Sequence, residues 1–589
     1  MGKMIFGCLC DAIIHNSSRC DSVCCDEAHD ILQFLTGLDA SAGFTIIRSE
    51  NHVPSPQHTA NMEVSAYGNE GKSALFVDGR YELAAKNCVD AKSFDIFSLS
   101  NTAIIAWIQK NLPPKCTIAH DPRFFSINRI KSICSNLPDC EFLPIDLMST
   151  LHLPKAEKRK MLLHNIFDDE GYDFCKSERK KRLGYIFAAL ESHNLNAYLL
   201  CNPCSIAWVM GIRDFGQANT PVVLSYLLVT AAHDFILYLD DDYENASEEL
   251  SAIGITNVKY QTYLQHDLEQ YSCVGVDESE TSSHLMSKNL VAVKNPCQLL
   301  QCIKNEHEIE QIRISSSKDS AAIINFLKWI YEIDKNHPLT ELLAAKQLLA
   351  LRKMQAGFIT ESFRCIAAAD DNAAIVHYTP GENTDKIIKN ILLLDSGGQY
   401  MFGTTDITRT IALANPTEEQ QLFYTLVLKG HIALAAAKFP VGTTGAQLDI
   451  LARQFLHQYC ADYNHSTGHG IGYLLNVHEG PAAINISNNV PLKAGMLLSN
   501  EPGYYKANEF GIRLENMMLV REENDGFLSF EMMSWVPFDW KFINKKLLTD
   551  AEWAWLWAYQ NEILFQTRAH LAQNTTAWLK KFLETGLQM

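Results

Sequence analysis

The chain has 589 residues, 47% apolar and 20% charged, ordinary globular usage that excludes a disordered, collagen-like or disulfide-scaffold chain. Fifty Lys and Arg against 68 Asp and Glu leave a net charge of −18, so nucleic acid, which demands excess cationic charge, is excluded as a partner of the whole chain. The 17 cysteines are odd in number and scattered, which points to a reducing compartment and a cytoplasmic protein.

Two to three domains are expected at this length. The N-terminus, Met1 to Phe6, has one positive charge and a short apolar run but no small-residue cleavage site, so no signal peptide is read there. Position 6 is Phe rather than Ser or Thr, which argues against myristoylation. Cys8, Cys10, Cys20, Cys24 and Cys25 are read as an irregular tail rather than a metal site.

The first stretch runs to about residue 155. It holds a Gly-punctuated turn, Thr36 to Gly43, leading into the strand-like Phe44 to Ile47, and a second strand ending in a turn at Ala74 to Tyr81. Strands alternating with helical patterns indicate α/β structure. The charged run Lys155 to Lys160 and the polar stretch Asp168 to Lys181 read as a linker and a helix start. From 172 to 300 the texture repeats, with a helix around Arg179 to Ser192 and strands at Ala197 to Leu200, near Val222 to Val229, and at Phe235 to Leu239. The apolar stretch Val222 to Ala232 ends at His233-Asp234, well short of the ~18 residues a membrane span needs, so no membrane association is expected.

From 301 to 589 the chain opens with helices. Ile309, Ile312, Ile323, Ile324, Leu327 and Ile330 recur at helical spacing, with a less apolar interval at Ser315 to Asp319. Thr417 to Gln420 is a capping box that starts a helix running through His431 and Ala437.

Three familiar motifs fail. Gly71-Lys72-Ser73 lacks the first glycine of a P-loop, since position 66 is Ala. His307-Glu308 is followed by Gln311, which breaks the metalloprotease helix motif. Cys201 and Cys204 form one C-x-x-C without a partner pair and read as two buried thiols near a turn.

Other segments place ionisable residues in apolar surroundings. Ile391 to Leu394 is an apolar strand ending on Asp395, followed by Gly397-Gly398 and then Asp406 in Gly403 to Thr410. A hairpin-like return could bring both carboxylates to one face, although two acids flanking a glycine bend are, taken alone, more often structural. His469 lies among Gly468, Gly470 and Gly472, which oppose a regular helix and allow close backbone approach. His478 follows in Asn476 to Pro481, and a second apolar strand ends on Glu501 before Pro502-Gly503. Arg513 and Glu515 share a face if Gly511 to Val520 is extended. Ionisable groups in such strands are costly unless paired or on a metal. If four acids and one histidine converge, the acids raise each other's pKa, and two divalent cations would cancel their charge. Oxygen-rich ligation with one imidazole suits Mn²⁺, and two such ions support hydrolysis.

In this order the motifs D-S-G-G-Q-Y, T-T-D-I-T-R-T, S-T-G-H-G-I-G, N-V-H-E-G-P, N-E-P-G-Y-Y and G-I-R-L-E-N closely resemble the pita-bread metallopeptidases. The match is to the long, three-domain Xaa-Pro aminopeptidases (aminopeptidase P), and T-G-L-D-A-S-A-G and V-D-G-R-Y extend it into the first stretch. The resemblance implies an α/β (α+β) chain: creatinase-like domains at 1–155 and 172–300, then a pita-bread catalytic domain at 301–589. It implies Asp395, Asp406, His469, Glu501 and Glu515 as ligands of two divalent ions, Asp406 and Glu515 bridging. Glu501 would take the proton of the attacking hydroxide. His377 would stand near the scissile carbonyl, His478 would polarise it or protonate the leaving nitrogen, His465 would line the proline pocket, and Arg513 would orient a ligand. The implied reaction releases the first residue from peptides with proline second, by a homodimer.

The Cys-rich start departs from the family's first strand and helix. Ala367 to Ala373 carries Asp370 and Asp371 where relatives have Gly or Pro, and these acids are expected to favour a free amine. The Trp-rich stretch from Trp535 to Trp557 suits either an interface or a core. A prolidase-type dipeptidase is the alternative reading, and a non-catalytic pita-bread binding protein a further one.

Overall fold

Short apolar runs bounded by turns build two six-stranded sheets in the first half of the chain. The computed structural model describes every residue except 1–3, 6–7, 18–24, 49–70, 152–162, 166–171, 241–242, 244–245, 334–337, 402 and 589. The chain divides into two units, Met1–Gly216 with Val222–Cys297, and Gln217–Pro221 with Gln298–Met589. The charged run Lys155 to Lys160 lies outside the described residues.

In the first unit one sheet runs, edge to edge, Phe94–Ser98, Ser73–Val77, Phe44–Arg48, Ala12–Asn16, Thr117–His120 and Glu141–Pro144. The other runs Val258–Tyr260, Phe235–Leu239, Ser225–Thr230, Ala197–Leu200, Val274–Val276 and Leu290–Ala292. Ranked by chain order, both read 4-3-2-1-5-6. Both also share one pattern of parallel and antiparallel neighbours. The repeated texture of the sequence is thus a repeated topology.

The N-terminal segment differs from the expected irregular tail. Ala12–Asn16 is a central strand buried at every position, and Cys25–Thr36 is a helix. A strand with neighbours on both sides needs only a short apolar run, and Ala12-Ile13-Ile14 supplies one.

In the second unit the serine-rich interval does not interrupt the first helix, which runs unbroken over Glu306–Glu332 behind an Asn305–Glu308 capping box. Gly403, having no Cβ, leaves room for the Ser315 side chain, and Asp319 pairs with buried Arg352 at 2.7 Å. The polar residues there are packed, not exposed. The Thr417 capping box forms as read, and its helix ends at Ala435. Two sheets carry the polar residues of interest. One orders Ile366–Ala369, Ile391–Ser396 and Ile407–Ala412. The other orders Phe439–Pro440, Phe527–Met532, Asn516–Glu522, Leu497–Asn500, Gly468–Gly470 and Glu479–Ile484. A hairpin of Gly503–Lys506 and Phe510–Arg513 accompanies them. Trp540 is buried, and Trp535, Trp553, Trp555 and Trp557 pack against the same core.

Candidate active site

The hairpin-like return forms. Strand Ile391–Ser396 pairs antiparallel with Ile407–Ala412, placing Asp395 opposite Thr408 and beside Asp406. Glu515 joins them through its own backbone, whose N–H donates to Thr408 O at 3.1 Å, while Thr408 Oγ1 donates to Glu515 Oε2 at 2.7 Å.

His469 enters from strand Gly468–Gly470. Its Nε2 lies 3.4 Å from Asp406 Oδ2 and 3.5 Å from Glu501 Oε1. One ligand atom from each of Asp406, His469 and Glu515 lies within 4.8 Å of the others. The flanking glycines admit close backbone approach. A Cβ on Gly468 would stand 2.0 Å from Ser499 O, and one on Gly470 2.1 Å from Glu479 O. Glu501 follows strand Leu497–Asn500, and its N–H donates to Thr467 O at 2.7 Å.

The charges explain what the cluster is suited to hold. Burial first, then Asp395 and Glu501, raises the carboxyl of Asp406 well above its usual range. Burial and Asp406 do the same to Glu515. Glu501 is pushed up to about 8, by burial and then Glu515. Among the described residues Asp395 Oδ1 is buried without a hydrogen-bond partner, while Arg513 Nη2 donates to Oδ2 at 2.6 Å. Four gathered carboxylates with an unpartnered oxygen and an imidazole form an electron-rich donor set suited to divalent cations.

The remaining predicted residues are placed as follows. Arg513 reaches Asp395 and also donates to Tyr505 Oη at 2.8 Å. Tyr505 Oη in turn meets His465 Nε2 at 2.8 Å. The His465 ring sits 4.8 Å from Tyr463 and 5.4 Å from Tyr505, centre to centre. His478 is exposed, its ring centre 4.0 Å from that of His469. His377 is half-buried in a turn anchored by its neighbour Tyr378, which donates to Glu341 at 2.7 Å.

The two acids before that turn are engaged within their own loop. Asp370 accepts from the backbone N–H groups of Lys389, Asn390 and Ile391, and Asp371 pairs with Lys386. Asp370 thereby fixes the loop backbone, while Asp371 remains partly exposed beside Lys386.

Several supporting residues escaped sequence reasoning. Arg352 holds Asp319 in a buried fork and donates to Ser396 Oγ at 3.1 Å, bracing the strand end that carries Asp395. Arg409 is buried and donates to Glu515 O at 2.6 Å and Asn516 Oδ1 at 2.7 Å. His431 lies between Asn500 O at 3.1 Å and Asn516 Nδ2 at 3.3 Å, and these two asparagines adjoin Glu501 and Glu515 in sequence. Burial and Arg409 push its pKa down to about 3, so the ring is neutral. Arg409 carried the one available signal, a charge inside an apolar strand.

Residues 310–522 match metallopeptidase family M24, and 526–584 match the C-terminal region of peptidase M24. Residues 30–150 and 154–308 each match a creatinase/prolidase N-terminal domain. The chain is 31% identical to a probable Xaa-Pro aminopeptidase P of Laccaria bicolor, over 93% of this chain and 86% of that protein. It is 31% identical to Xaa-Pro aminopeptidase 1 of Dictyostelium discoideum, over 90% of this chain and 86% of that protein. It also resembles the crystal structure of X-prolyl aminopeptidase from Caenorhabditis elegans, described as a cytosolic enzyme with a di-nuclear active site. The TM-score is 0.86 at 26% identity, over 98% of this chain and 96% of that one.

Proposed function

We infer the roles in this site from the premise that the chain belongs to the Xaa-Pro aminopeptidase (aminopeptidase P) family. It is a metallo-aminopeptidase of pita-bread fold that releases the N-terminal residue from peptides with proline in second position. The observation that carries the chemistry is the gathering of Asp406, His469 and Glu515 within 4.8 Å, with Glu501 and Asp395 beside them.

Asp395, Asp406, His469, Glu501 and Glu515 would hold two divalent cations. The count of two is supported by the di-nuclear site of the C. elegans enzyme. Mn²⁺ is the proposed ion, on the strength of the oxygen-rich donor set. Bound there, the cations supply Lewis acidity and a water that ionises near neutral pH.

Glu501 takes the proton of the attacking water. His478, exposed at the rim beside His469, polarises the carbonyl or passes a proton to the departing nitrogen. His377 stands near the scissile carbonyl. His465, with Tyr463 and Tyr505 beside it, offers an aromatic wall for a pyrrolidine ring. Arg513 holds Asp395 in orientation through the 2.6 Å contact. The bond before proline is a tertiary amide without an N–H, so recognition rests on ring shape rather than on that donor.

The proposed division is two creatinase-like domains, 1–155 and 172–300, before the catalytic domain at 301–589, and the family matches support it. A cytoplasmic location is proposed, supported by the description of the C. elegans relative as cytosolic. Among the described residues no helix is long and apolar enough to cross a membrane. A homodimer is proposed, to be tested by sedimentation.

The test is hydrolysis of Arg-Pro-Pro, Ala-Pro and Ala-Ala-Ala by chelated protein with and without added Mn²⁺. Mn²⁺-dependent release of arginine from Arg-Pro-Pro is expected. Cleavage of Ala-Pro alone would indicate a dipeptidase, and no turnover with any divalent ion would remove the catalytic reading.

A further inference from the structure

We propose that Cys116 and Cys140, in the first unit, are a redox modification site: a dithiol that closes reversibly to a disulfide on exchange with small disulfides such as oxidised glutathione. Each cysteine stands immediately before one of two neighbouring parallel strands, Thr117–His120 and Glu141–Pro144, whose first residues are direct partners. The N–H of Glu141 donates to Cys116 O at 2.8 Å, so the two backbones are already locked side by side at this level. The sulfurs lie 3.1 Å apart. That is about 1 Å beyond a covalent S–S bond of ~2.05 Å. Both thiols are free.

The two sulfurs differ in access, which sets an order of events. Cys140 is half-buried and reachable, whereas Cys116 is only 4% exposed. Burial and the neighbouring Cys140 push the Cys116 thiol up to about 12, which suits it to wait rather than to attack first. The Cys140 thiolate attacks one sulfur of oxidised glutathione, forming a mixed disulfide and releasing one glutathione thiolate. Cys116 sulfur then attacks the Cys140 sulfur, the mixed disulfide breaks, and the second glutathione leaves. The two thiol protons end on the two glutathiones. The two electrons lost by the cysteines reduce the glutathione disulfide, and an excess of reduced thiol reverses both steps.

The bond would act at an edge of the sheet. Among the described residues, Glu141–Pro144 has Thr117–His120 as its one strand neighbour. A disulfide there staples the edge strand to the sheet and closes a loop containing the helix Ile127–Asn136.

The test uses the folded full-length chain, treated with oxidised glutathione, alkylated, digested and mapped by mass spectrometry. The expected result is a Cys116–Cys140 cross-linked peptide, two hydrogens lighter than the paired thiols and abolished by dithiothreitol. C116S is expected to trap a glutathione adduct on Cys140, and C140S to leave Cys116 unmodified. A wild-type chain with both positions alkylated, or with an adduct on Cys140 and no cross-link, would overturn the proposal. An adduct on Cys116 in C140S would overturn the assigned order.

Discussion

Removing the metals is expected to make the second unit lose stability as pH rises. In the metal-free fold the Glu501 carboxyl is pushed up to about 8 from an ordinary 4.5, and Asp406 and Glu515 move in the same direction. An acid whose native pKa exceeds its unfolded pKa holds its proton more tightly when folded. Its contribution is fully present below the unfolded value and drains away as pH climbs through the native one. For Glu501, (8 − 4.5) × 1.36 gives about 5 kcal/mol, a ceiling because the cluster can relax by admitting water. With cations bound, the carboxylates are charged in the native state throughout, and this particular dependence disappears. Seven of the nine tryptophans, Trp329 and Trp535 onward, belong to the second unit, so their fluorescence follows the relevant transition. Urea unfolding of chelated and Mn²⁺-loaded protein at about pH 5 and about pH 9 makes the comparison. A chelated protein equally stable at both pH values would refute the reasoning.

Arg513→Met leaves Asp395 buried without its cation. It should cost about 3–5 kcal/mol in chelated protein and less when metal is loaded, measured as urea midpoints; equal losses in both forms would remove the pairing argument. His478→Gln should lower kcat ~10²-fold or more with metal content unchanged, because its ring lies 4.0 Å, centre to centre, from that of the proposed ligand His469 rather than belonging to the cluster. A wild-type rate would take His478 out of the chemistry. Gly468→Ala forces a Cβ to within 2.0 Å of Ser499 O, so thermal melting should report a loss of at least about 3 kcal/mol together with weakened metal binding; an unchanged melting temperature would show that the strand can yield.

The site was legible because its chemistry is local in kind. Acids ending apolar strands, a histidine flanked by glycines and a bend returning Asp406 toward Asp395 are all visible along the chain, since a charge in an apolar run requires a reason. The N-terminal strand was not legible. Ala12–Asn16 is five residues long, and its place between two other strands depends on partners at Phe44–Arg48 and Thr117–His120. The doubled sheet order was hidden for the same reason, because order within a sheet is a property of pairing, not of any one segment.

The amino-acid sequence by itself determined the residue types proposed as ligands, their order and the close backbone contacts that glycine alone permits at Gly468 and Gly470. Only the tertiary structure decided that Asp370 and Asp371 serve their own loop, and that Arg409, His431 and the Arg352–Asp319 pair brace the site. These outcomes join groups as far apart as Asp395 and Arg513, 118 residues distant along the chain. Such pairs form when packing removes both groups from water together, and no local pattern encodes which partner each will find.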